Sequence, residues 1–308
     1  MMQLKDLQAF QTIAEMGNLH HAAHALGVTQ PALTKTVQRL ETALGVRLLE
    51  RTARGVALTS IGRTLVARSR TLGQMVDDIQ TEIHDLKIGQ TGELRIGAVP
   101  ALIDSVVSPA LSHFLGREDV ARFQVHIKLS GALLRDLGNG HLDLAVAAVQ
   151  DRIAPELNYT VLGEQRSFIV ARRDHPLLRQ PFALADLARQ RWLLPPADIA
   201  LRSWIDSLFT EHLTAVPDVF VEADTSPVVF ASIVARTDLL TVLTTDSLHS
   251  PLAEGLAVLP PPAHQWSIPI GLFWRRNAYF SSLMKHCRQQ LAKAFAQRPH
   301  QEPSQATS

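Results

Sequence analysis

The chain of 308 residues contains a single cysteine, Cys287, so no disulfide can form within it. Long apolar runs are also lacking, because the most apolar long segment, residues 227–245, contains Arg236 and Asp238 and is not predicted to span a membrane. The charged N-terminus lacks the apolar core of a signal peptide. These absences predict a cytoplasmic protein in a reducing compartment, without a membrane partner.

The chain also lacks a large net charge, since 30 Lys and Arg residues balance 29 Asp and Glu residues. Residues 30–63 depart from this balance, with six basic residues against two acidic ones. This local surplus indicates a small surface that binds a polyanion. The chain length allows two or three domains with a large buried core.

Residues 18–44 predict two short helices joined by a tight turn. Ala23 is small enough to let the helices cross closely, and Gly27 can adopt the positive φ that ends the first helix. Thr29 suits the N-cap of the second helix, and Pro31 lies in its first turn, where a missing N–H costs nothing. The pattern is typical of a helix-turn-helix.

The second helix has two distinct faces. Leu33, Val37, Leu40 and Leu44 recur on one face. The opposite face carries side chains that bond to bases or phosphates, namely Gln30, Thr34, Lys35, Gln38 and Arg39. We expect Gln30, Thr34 and Gln38 to read bases in the major groove, with Lys35 and Arg39 on phosphates. An ordinary helical hairpin with a polar outer face remains the alternative.

A basic β-hairpin is predicted after Gly45. Two β-compatible runs, residues 46–49 and 56–58, flank a turn that contains Arg51 and Arg54. Such a wing would place both arginines near phosphates or in a minor groove. The alternative is a solvated surface hairpin.

Residues 59–88 predict one helix of roughly 30 residues, about 45 Å long. Its apolar residues follow a short heptad repeat: Leu65, Leu72, Val76, Ile79, Ile83 and Leu86. A seam of this kind requires a partner helix, so we expect the helix to mediate dimerisation.

The first 90 residues resemble the LysR-type transcriptional regulators. The matching residues form an ordered set: Leu4, Leu7, Phe10, Ala22-Ala23, Leu26, Thr29-Gln30-Pro31-Ala32-Leu33-Thr34, Val37, Leu40-Glu41, Leu44-Gly45, Leu48-Leu49-Glu50-Arg51, Leu58-Thr59 and Gly62. Leu49 stands where the family commonly has Phe. The resemblance implies a cytoplasmic DNA-binding regulator, a homotetramer built as a dimer of dimers, with double-stranded operator DNA, a small-molecule effector and RNA polymerase as partners.

Beyond residue 92, strands alternate with helices, which predicts parallel βαβ units. The predicted strands cover residues 93–99, 123–129, 142–149, 168–171, 192–194, 219–223, 239–243 and 267–274, and the helices residues 103–115, 132–139, 184–188, 201–213, 227–235 and 279–296. The resemblance implies two α/β subdomains, as in periplasmic binding proteins, with chain crossings near Gly163 and Trp266.

The expected fold is therefore α+β in its first part and α/β in its second. We expect a winged helix-turn-helix at 1–58, a linker and dimerisation helix at 59–91 and an effector domain at 92–300. Its subdomain I comprises 92–162 and 267–300, and subdomain II comprises 163–266. Residues 301–308 are expected to be a disordered tail.

Three junctions at strand ends predict an effector site, because open sheets bind ligands beyond the carboxyl ends of their strands. They are Pro100-Ala101, Ser130-Gly131 and Thr225-Ser226. In the family the effector pocket lies between the subdomains and uses these junctions. These junctions offer backbone N–H groups and hydroxyls and no fixed cation, which favours a small organic acid as the effector. An aromatic acid is one form of this hypothesis.

We expect no cofactor, metal or catalytic site. His20, His21 and His24 form the densest histidine cluster, but no cysteine and no clear set of carboxylates accompanies them. Cys287 follows His286 directly, and neighbouring helical positions do not face each other. Two alternative functions remain: a solute-binding or enzymatic α/β protein with a helical arm, and a dimerisation module without DNA binding.

Overall fold

The computed structural model describes residues 2–52, 55–88, 92–115, 121–197, 199–212, 216–223, 227–260 and 265–298. The helices are α1 (Leu4–Met16), α2 (Leu19–Ala25), α3 (Gln30–Leu44), α4 (Ser60–Ile88), α5 (Ser108–Leu115), α6 (Ser130–Gly138), α7 (Leu184–Ala188), α8 (Ala200–His212), α9 (Pro227–Val234), α10 (Thr245–Leu248) and α11 (Ser282–Gln297). The strands are β1 (Leu49–Thr52), β2 (Gly55–Leu58), β3 (Glu93–Ala98), β4 (Arg122–Ile127), β5 (Leu144–Ala148), β6 (Leu157–Arg172), β7 (Arg191–Leu194), β8 (Asp218–Glu222), β9 (Thr241–Thr244), β10 (Leu256–Val258) and β11 (Gln265–Arg275).

The chain forms two compact units. The first comprises Met1–Gly92, Asn139–His141 and Arg276–Ser281, and the second comprises Glu93–Gly138, Leu142–Arg275 and Ser282–Ser308. Among the described residues, no helix is both long and apolar enough to cross a membrane.

The first unit has a three-helix core formed by α1, α2 and α3. Its fully buried side chains include Phe10, Ile13, Leu33 and Leu40. The apolar pattern of the sequence also predicts Leu26 and Leu44 in this core, but they are 37% and 41% exposed. Both stand at helix ends: Leu26 caps α2 and Leu44 is the last residue of α3, so the chain leaves the apolar face there.

The wing is an antiparallel hairpin of β1 and β2. Its first strand was predicted at residues 46–49, and this prediction is wrong, since β1 spans Leu49–Thr52. The carboxylate of Glu41 explains the shift, because its Oε1 accepts hydrogen bonds from the N–H groups of Leu48 and Leu49 at 2.8 and 3.4 Å. These bonds hold the residues before β1 against α3, and Leu48 is buried in the core.

Helix α4 spans 29 residues, and the predicted bounds of 59–88 are confirmed to within one residue. At 1.5 Å per residue it is about 43 Å long. Leu65 and Val66 pack against the three-helix core, so the beginning of α4 belongs to the winged helix. This contact covers the first position of the predicted seam, and the exposed positions of that seam begin at Leu72.

The second unit is built on a seven-stranded sheet in the order β10-β6-β11-β5-β3-β4, with β9 also paired to β6. Strand β3 is parallel to β4 and β5, whereas β11 and β6 pair antiparallel to their neighbours. The prediction of a parallel sheet therefore holds for only part of it. Strands β7 and β8 form a small separate parallel pair, which a bridge between Trp192 and Leu240 joins to the residue before β9.

Two long strands carry the chain through the predicted crossing region. Strand β6 runs without interruption from Leu157 to Arg172 and pairs with β11 from Leu157 to Phe168, with a register shift between Ile270 and Gly271. The sequence predicts a strand only from residue 168, because residues 158–164 show no apolar alternation. In the structure these residues are exposed or partly exposed. Residues 158–164 are extended because their backbone groups pair with β11, and not because their side chains bury an apolar face.

Helix α5 differs from its prediction at its beginning. The sequence predicted one helix over residues 103–115, but Ile103–Val107 forms a π-helical segment that leads into α5. Such wide turns occur frequently at functional sites, because they redirect the side chains of one turn. Asp104 lies on this segment.

Candidate nucleic-acid interface and effector pocket

Helix α3 exposes a polar face. The Thr29 hydroxyl accepts a hydrogen bond from the N–H of Ala32 at 3.4 Å and caps the helix, as predicted. The residues that the sequence assigns to DNA are exposed or partly exposed along this face: Gln30, Pro31, Thr34, Lys35, Gln38 and Arg39. The Thr34 hydroxyl donates to the carbonyl of Gln30 at 3.0 Å, so its oxygen can still accept a hydrogen bond from another group.

Arg39 is held by a buried carboxylate on α1. Its Nη2 and Nε donate to the two Asp6 oxygens at 2.6 and 3.2 Å, and Nη2 also donates to the Thr36 hydroxyl at 3.3 Å. The hydrogen bonds from Arg39 lower the pKa of Asp6 despite its burial, and the same pairing raises the pKa of Arg39. The Asp6 side chain is 2% exposed and that of Arg39 is 49% exposed, so the pair fixes an arginine at the protein surface.

The wing is anchored to the turn after α1. The N–H of Val56 donates to the carbonyl of Gly17 at 3.0 Å, and Gly55 adopts a φ of 138° beside it. A Cβ at Gly55 would lie 2.5 Å from the Gly17 oxygen, so only glycine permits this approach. The side chain of Arg51 and all of Arg54 lie outside the described residues, and their DNA contacts remain predictions.

A pocket in the second unit brings together residues from both predicted subdomains. Its lining is Pro100, Ala101, Asp104, Pro227, Val228, Ala231, Asp246, Ser247 and Ser250. Pro100 and Ala101 follow β3 as predicted, and Pro227 begins α9 directly after the predicted Thr225-Ser226 junction, which lies outside the described residues. The two charged side chains of this lining are both acidic.

Asp246 connects the pocket to an inner polar cluster. Its Oδ2 accepts hydrogen bonds from Arg298 Nη1 and Gln165 Nε2, both at 3.3 Å. Arg298 also donates to the carbonyl of Glu164 and lies over the ring of Phe295, 3.6 Å from the ring centroid. Burial lowers the pKa of Arg298, and the charge of Asp246 opposes that change. The cluster therefore joins α10, β6 and the end of α11.

The Ser130-Gly131 junction does not line this pocket among the described residues. The Ser130 hydroxyl oxygen accepts a hydrogen bond from the N–H of Ala148 at 3.0 Å and joins the start of α6 to β5. A Cβ at Gly131 would lie 3.5 Å from both Arg135 Nη1 and Gln150 Nε2, which places two donors beside this junction.

Two family models cover most of the chain. Residues 4–63 match the bacterial regulatory helix-turn-helix protein of the lysR family, and residues 87–296 match the LysR substrate binding domain. This chain belongs to the LysR family. It is a LysR-type DNA-binding transcriptional regulator with an effector-binding domain, and the predicted fold class is confirmed.

Individual LysR-family proteins resemble the chain over nearly its whole length. The transcriptional regulator GbpR of Azospirillum brasilense is 30% identical over 280 residues, which cover 90% of this chain and 82% of that protein. The fold resembles ArgP from Mycobacterium tuberculosis, with a TM-score of 0.69, 20% identity and coverage of 95% and 97%. It also resembles full-length CbnR in complex with its target DNA, with a TM-score of 0.61, 18% identity and coverage of 95% and 100%.

The predicted LysR dimerisation seam is exposed along the middle of α4. Leu72, Ile79 and Ile83 are 45%, 55% and 48% exposed, and Met75 beside them is 57% exposed. Val76 is partly exposed, and the side chain of Leu86 lies outside the described residues. An apolar row of this length on a single helix leaves a surface that a second helix can cover.

The sequence prediction named only Pro100 and Ala101 of the nine lining residues, and it missed all of the polar ones: Asp104, Asp246, Ser247 and Ser250. A signal for α10 was present, because Thr244-Thr245-Asp246-Ser247 follows a buried strand and has the composition of a helix start. In the structure the Thr244 hydroxyl caps this turn by accepting from the N–H of Ser247 at 3.2 Å. Asp104 had no comparable signal, since its position depends on the π-helical segment.

The remaining candidates form no site in the described part of the chain. No group of three or more His, Cys, Asp or Glu side chains is placed there to hold a metal ion. Cys287 is fully buried, and burial raises the pKa of its thiol to about 12. Its thiolate is therefore absent at neutral pH.

Proposed function

We propose that α3 reads operator DNA in the major groove through Gln30, Thr34 and Gln38, with Pro31 at its leading turn. The single observation that carries this proposal is the exposed polar face of α3, where these three residues carry amide and hydroxyl groups and lie beside Lys35 and Arg39. Amide and hydroxyl groups at these positions can pair with base edges. The capped start of α3 points its first backbone N–H groups outward, where a phosphate can also bind.

Lys35 and Arg39 would position the helix by contacting phosphates, together with Arg51 and Arg54 of the wing. Arg39 is suited to this role because Asp6 already orders its side chain, so less conformational entropy is lost on binding. Within the described residues, its Nη1 has no hydrogen-bond partner. The Asp6 carboxylate uses Nε and Nη2 and leaves that donor for a phosphate oxygen.

We propose that α4 pairs two chains through Leu72, Val76, Ile79 and Ile83, with Leu86 extending the seam and Leu65 at its border with the winged-helix core. A two-fold pair of winged helices would read an inverted repeat. A dimer of dimers and contact with RNA polymerase are proposals that rest on the family resemblance. The domain boundaries at residues 58, 91 and 300, and the subdomain boundaries at 162 and 266, are proposals of the same kind.

The effector would bind between the parts of the second unit that carry Pro100-Ala101 and Pro227. A small organic acid, aromatic or aliphatic, is favoured by the start of α6, where Ser130 and Gly131 lie beside Arg135 and Gln150. Thr225 and Ser226 belong to the same proposal through their place in the sequence. Effector binding would change the closure of the subdomains around the long strands β6 and β11.

Two alanine variants separate base reading from phosphate contact. The full chain would be measured against its selected operator and against a scrambled duplex over a range of salt concentrations. Gln38→Ala should lose about 1–3 kcal/mol of preference for the operator and keep its salt dependence. Lys35→Ala should weaken binding to both duplexes and lower the slope of log K against log salt by about 1.

Lys285→Ala on α11 is the matched control for loss of one exposed cation. It should leave the slope unchanged, because the proposal places no DNA contact on α11. Equal losses on both duplexes for Gln38→Ala would contradict base reading by α3. An unchanged slope for Lys35→Ala would remove it from the interface.

A further inference from the structure

One carboxylate oxygen in the pocket is buried without a partner. The Asp246 side chain is 3% exposed, and its Oδ2 accepts from Arg298 and Gln165 at 3.3 Å each. Its Oδ1 is buried and, within the described part of the chain, accepts no hydrogen bond. Asp246 is at the same time part of the pocket lining.

A buried carboxylate oxygen is rarely left without a donor. An ionised carboxyl group offers acceptor positions on both oxygens and provides no donor of its own. The missing partner must therefore bring an N–H or O–H group, and a cationic donor satisfies both the hydrogen bond and the charge. Arg298 supplies one positive charge on the Oδ2 side only.

The rest of the lining selects for the same chemistry. Asp104 adds a second, exposed carboxylate from the π-helical segment, and no Lys or Arg lines the pocket among the described residues. An anionic group placed here would be repelled by both carboxylates. The remaining surface is mainly apolar, with Pro100, Pro227 and Val228 as its larger side chains, so the cationic group would be attached to a short apolar body.

We propose that the effector presents a protonated amine to Asp246 Oδ1, with Asp104 at the mouth of the pocket as a second acidic contact. This inference rests on the proposed function, in that it takes this pocket to be the effector site, and it names the class of ligand. It changes the expected ligand from a simple organic acid to one that also carries an amine, and the amine is the group that this pocket binds. A carboxylate on the same ligand would bind elsewhere, as at the donors beside Gly131, and not between Asp104 and Asp246.

Hydrogen bonds of Asp246 would also connect a bound amine to the long strand β6. Asp246 is bonded to Gln165 on β6, and Arg298 is bonded both to Asp246 and to the carbonyl of Glu164 on β6. An ammonium group at Oδ1 would share the Asp246 charge with Arg298. Amine binding would therefore act on contacts at the middle of β6, where the predicted crossing lies.

The test compares ligands that differ only in their head group. The full-length protein would be titrated with benzylamine, benzoate and benzyl alcohol, and with butylamine, butyrate and butanol, by ligand-observed NMR and thermal shift. We expect each amine to bind at least about tenfold more tightly than its matched acid and alcohol, as one charge-assisted hydrogen bond allows. Magnesium chloride at the same concentration tests whether any cation suffices.

Three substitutions assign the effect to the carboxylates. Asp246→Asn should reduce the preference for the amine at least about tenfold. Asp104→Asn should reduce it less, because Asp104 is exposed and water screens its charge, and this variant keeps the test valid should Asp246→Asn fold poorly. Asp151→Asn, an exposed carboxylate outside the lining, makes the same charge change and should have no effect.

Several results would overturn the inference. One is that no amine binds, and another is that an acid binds as tightly as its matched amine. A thermal shift with magnesium chloride equal to that with an amine would also contradict it. So would a preference for amines that is unchanged in both Asp246→Asn and Asp104→Asn. None of these results touches the DNA-binding role of α3, which the salt titrations test separately. If the natural protein binds no operator but still prefers amines, the proposed DNA-binding function is contradicted and the amine inference is not.

Discussion

Asp6 on α1 and Arg39 on α3 form a two-point ion pair, with Nη2–Oδ1 and Nε–Oδ2 distances of 2.6 and 3.2 Å. The pair joins the first helix of the chain to the exposed face of the predicted recognition helix. Gln3 completes the arrangement, because its backbone N–H donates to Asp6 Oδ2 at 3.4 Å and caps α1. One carboxylate thus orders both a helix start and a candidate DNA-contacting arginine.

The Asp6–Arg39 pair predicts a specific pH dependence. Its hydrogen bonds lower the pKa of Asp6 in the folded state, so the pair stabilises the fold above the ordinary aspartate pKa of about 4 and loses this contribution as pH falls through the lowered value. Asp6→Asn should cost about 1 kcal/mol at neutral pH, mainly as lost hydrogen bonds.

Urea unfolding of the full chain, followed by far-ultraviolet circular dichroism between pH 7 and pH 3, measures this. The difference between the natural protein and Asp6→Asn should be constant at pH 5–7 and shrink below about pH 4. A difference that grows on acidification would show that the pair does not lower the Asp6 pKa.

Two glycines of α4 should respond oppositely to alanine. A Cβ at Gly62 would lie 2.2 Å from the carbonyl oxygen of Leu48, a backbone atom that cannot rotate away. Gly62→Ala should therefore destabilise the winged helix by about 2 kcal/mol or more. At Gly73 a Cβ would meet no described atom within 4 Å, so Gly73→Ala should stabilise α4 by about 0.5–1 kcal/mol. The same urea titration distinguishes them, and similar effects at both positions would refute the assigned contact.

Cys287 should be unreactive in the folded protein. It is fully buried on α11, and burial raises the pKa of its thiol to about 12, so almost no thiolate exists at pH 8. Iodoacetamide at pH 8 should leave the native chain unmodified and add one label in urea, as intact mass will show. Rapid labelling of the native protein would mean that the end of the second unit opens readily.

The seam on α4 should control association. Replacing Ile79 and Ile83 by Asp places like charges on a surface that we propose is shared by two chains, and should weaken the dimer at least about tenfold. Sedimentation velocity over a range of protein concentrations measures this. Ala67→Asp, at an exposed position on the opposite side of α4, is the control and should associate like the natural protein. Unchanged association of the double variant would place the interface elsewhere.

Local signals in the sequence were sufficient for the helices of the first unit, although not for the first strand of the wing. The Thr29 cap, the positive φ of Gly17 and Gly45 at the ends of α1 and α3, and the extent of α4 all follow from residues near one another in the chain. The capping hydrogen bonds span three to five residues, so composition and spacing record them.

The second unit was predicted less completely because distant partners determine it. The early part of β6 is extended through pairing with β11, more than 100 residues later, as the Ser267–Glu164 hydrogen bond illustrates. Asp246 and Arg298 meet across 52 residues, and neither shows this in its local sequence. Contacts of this kind give no periodic pattern in the sequence. The sequence therefore did not place Asp104 and Asp246 in the pocket, and it favoured an organic acid as the effector.

The central claim is that the chain reads a specific operator through paired α3 helices. The most direct test is to let the full-length protein select its DNA from random sequences. The protein would be mixed with a library of random 40-base-pair duplexes, and the bound fraction sequenced after several rounds at physiological salt. We predict enrichment of an inverted repeat, lost when Gln30, Thr34 and Gln38 are replaced by alanine together. Enrichment of no sequence, or of the same sequence by the triple variant, would contradict the account.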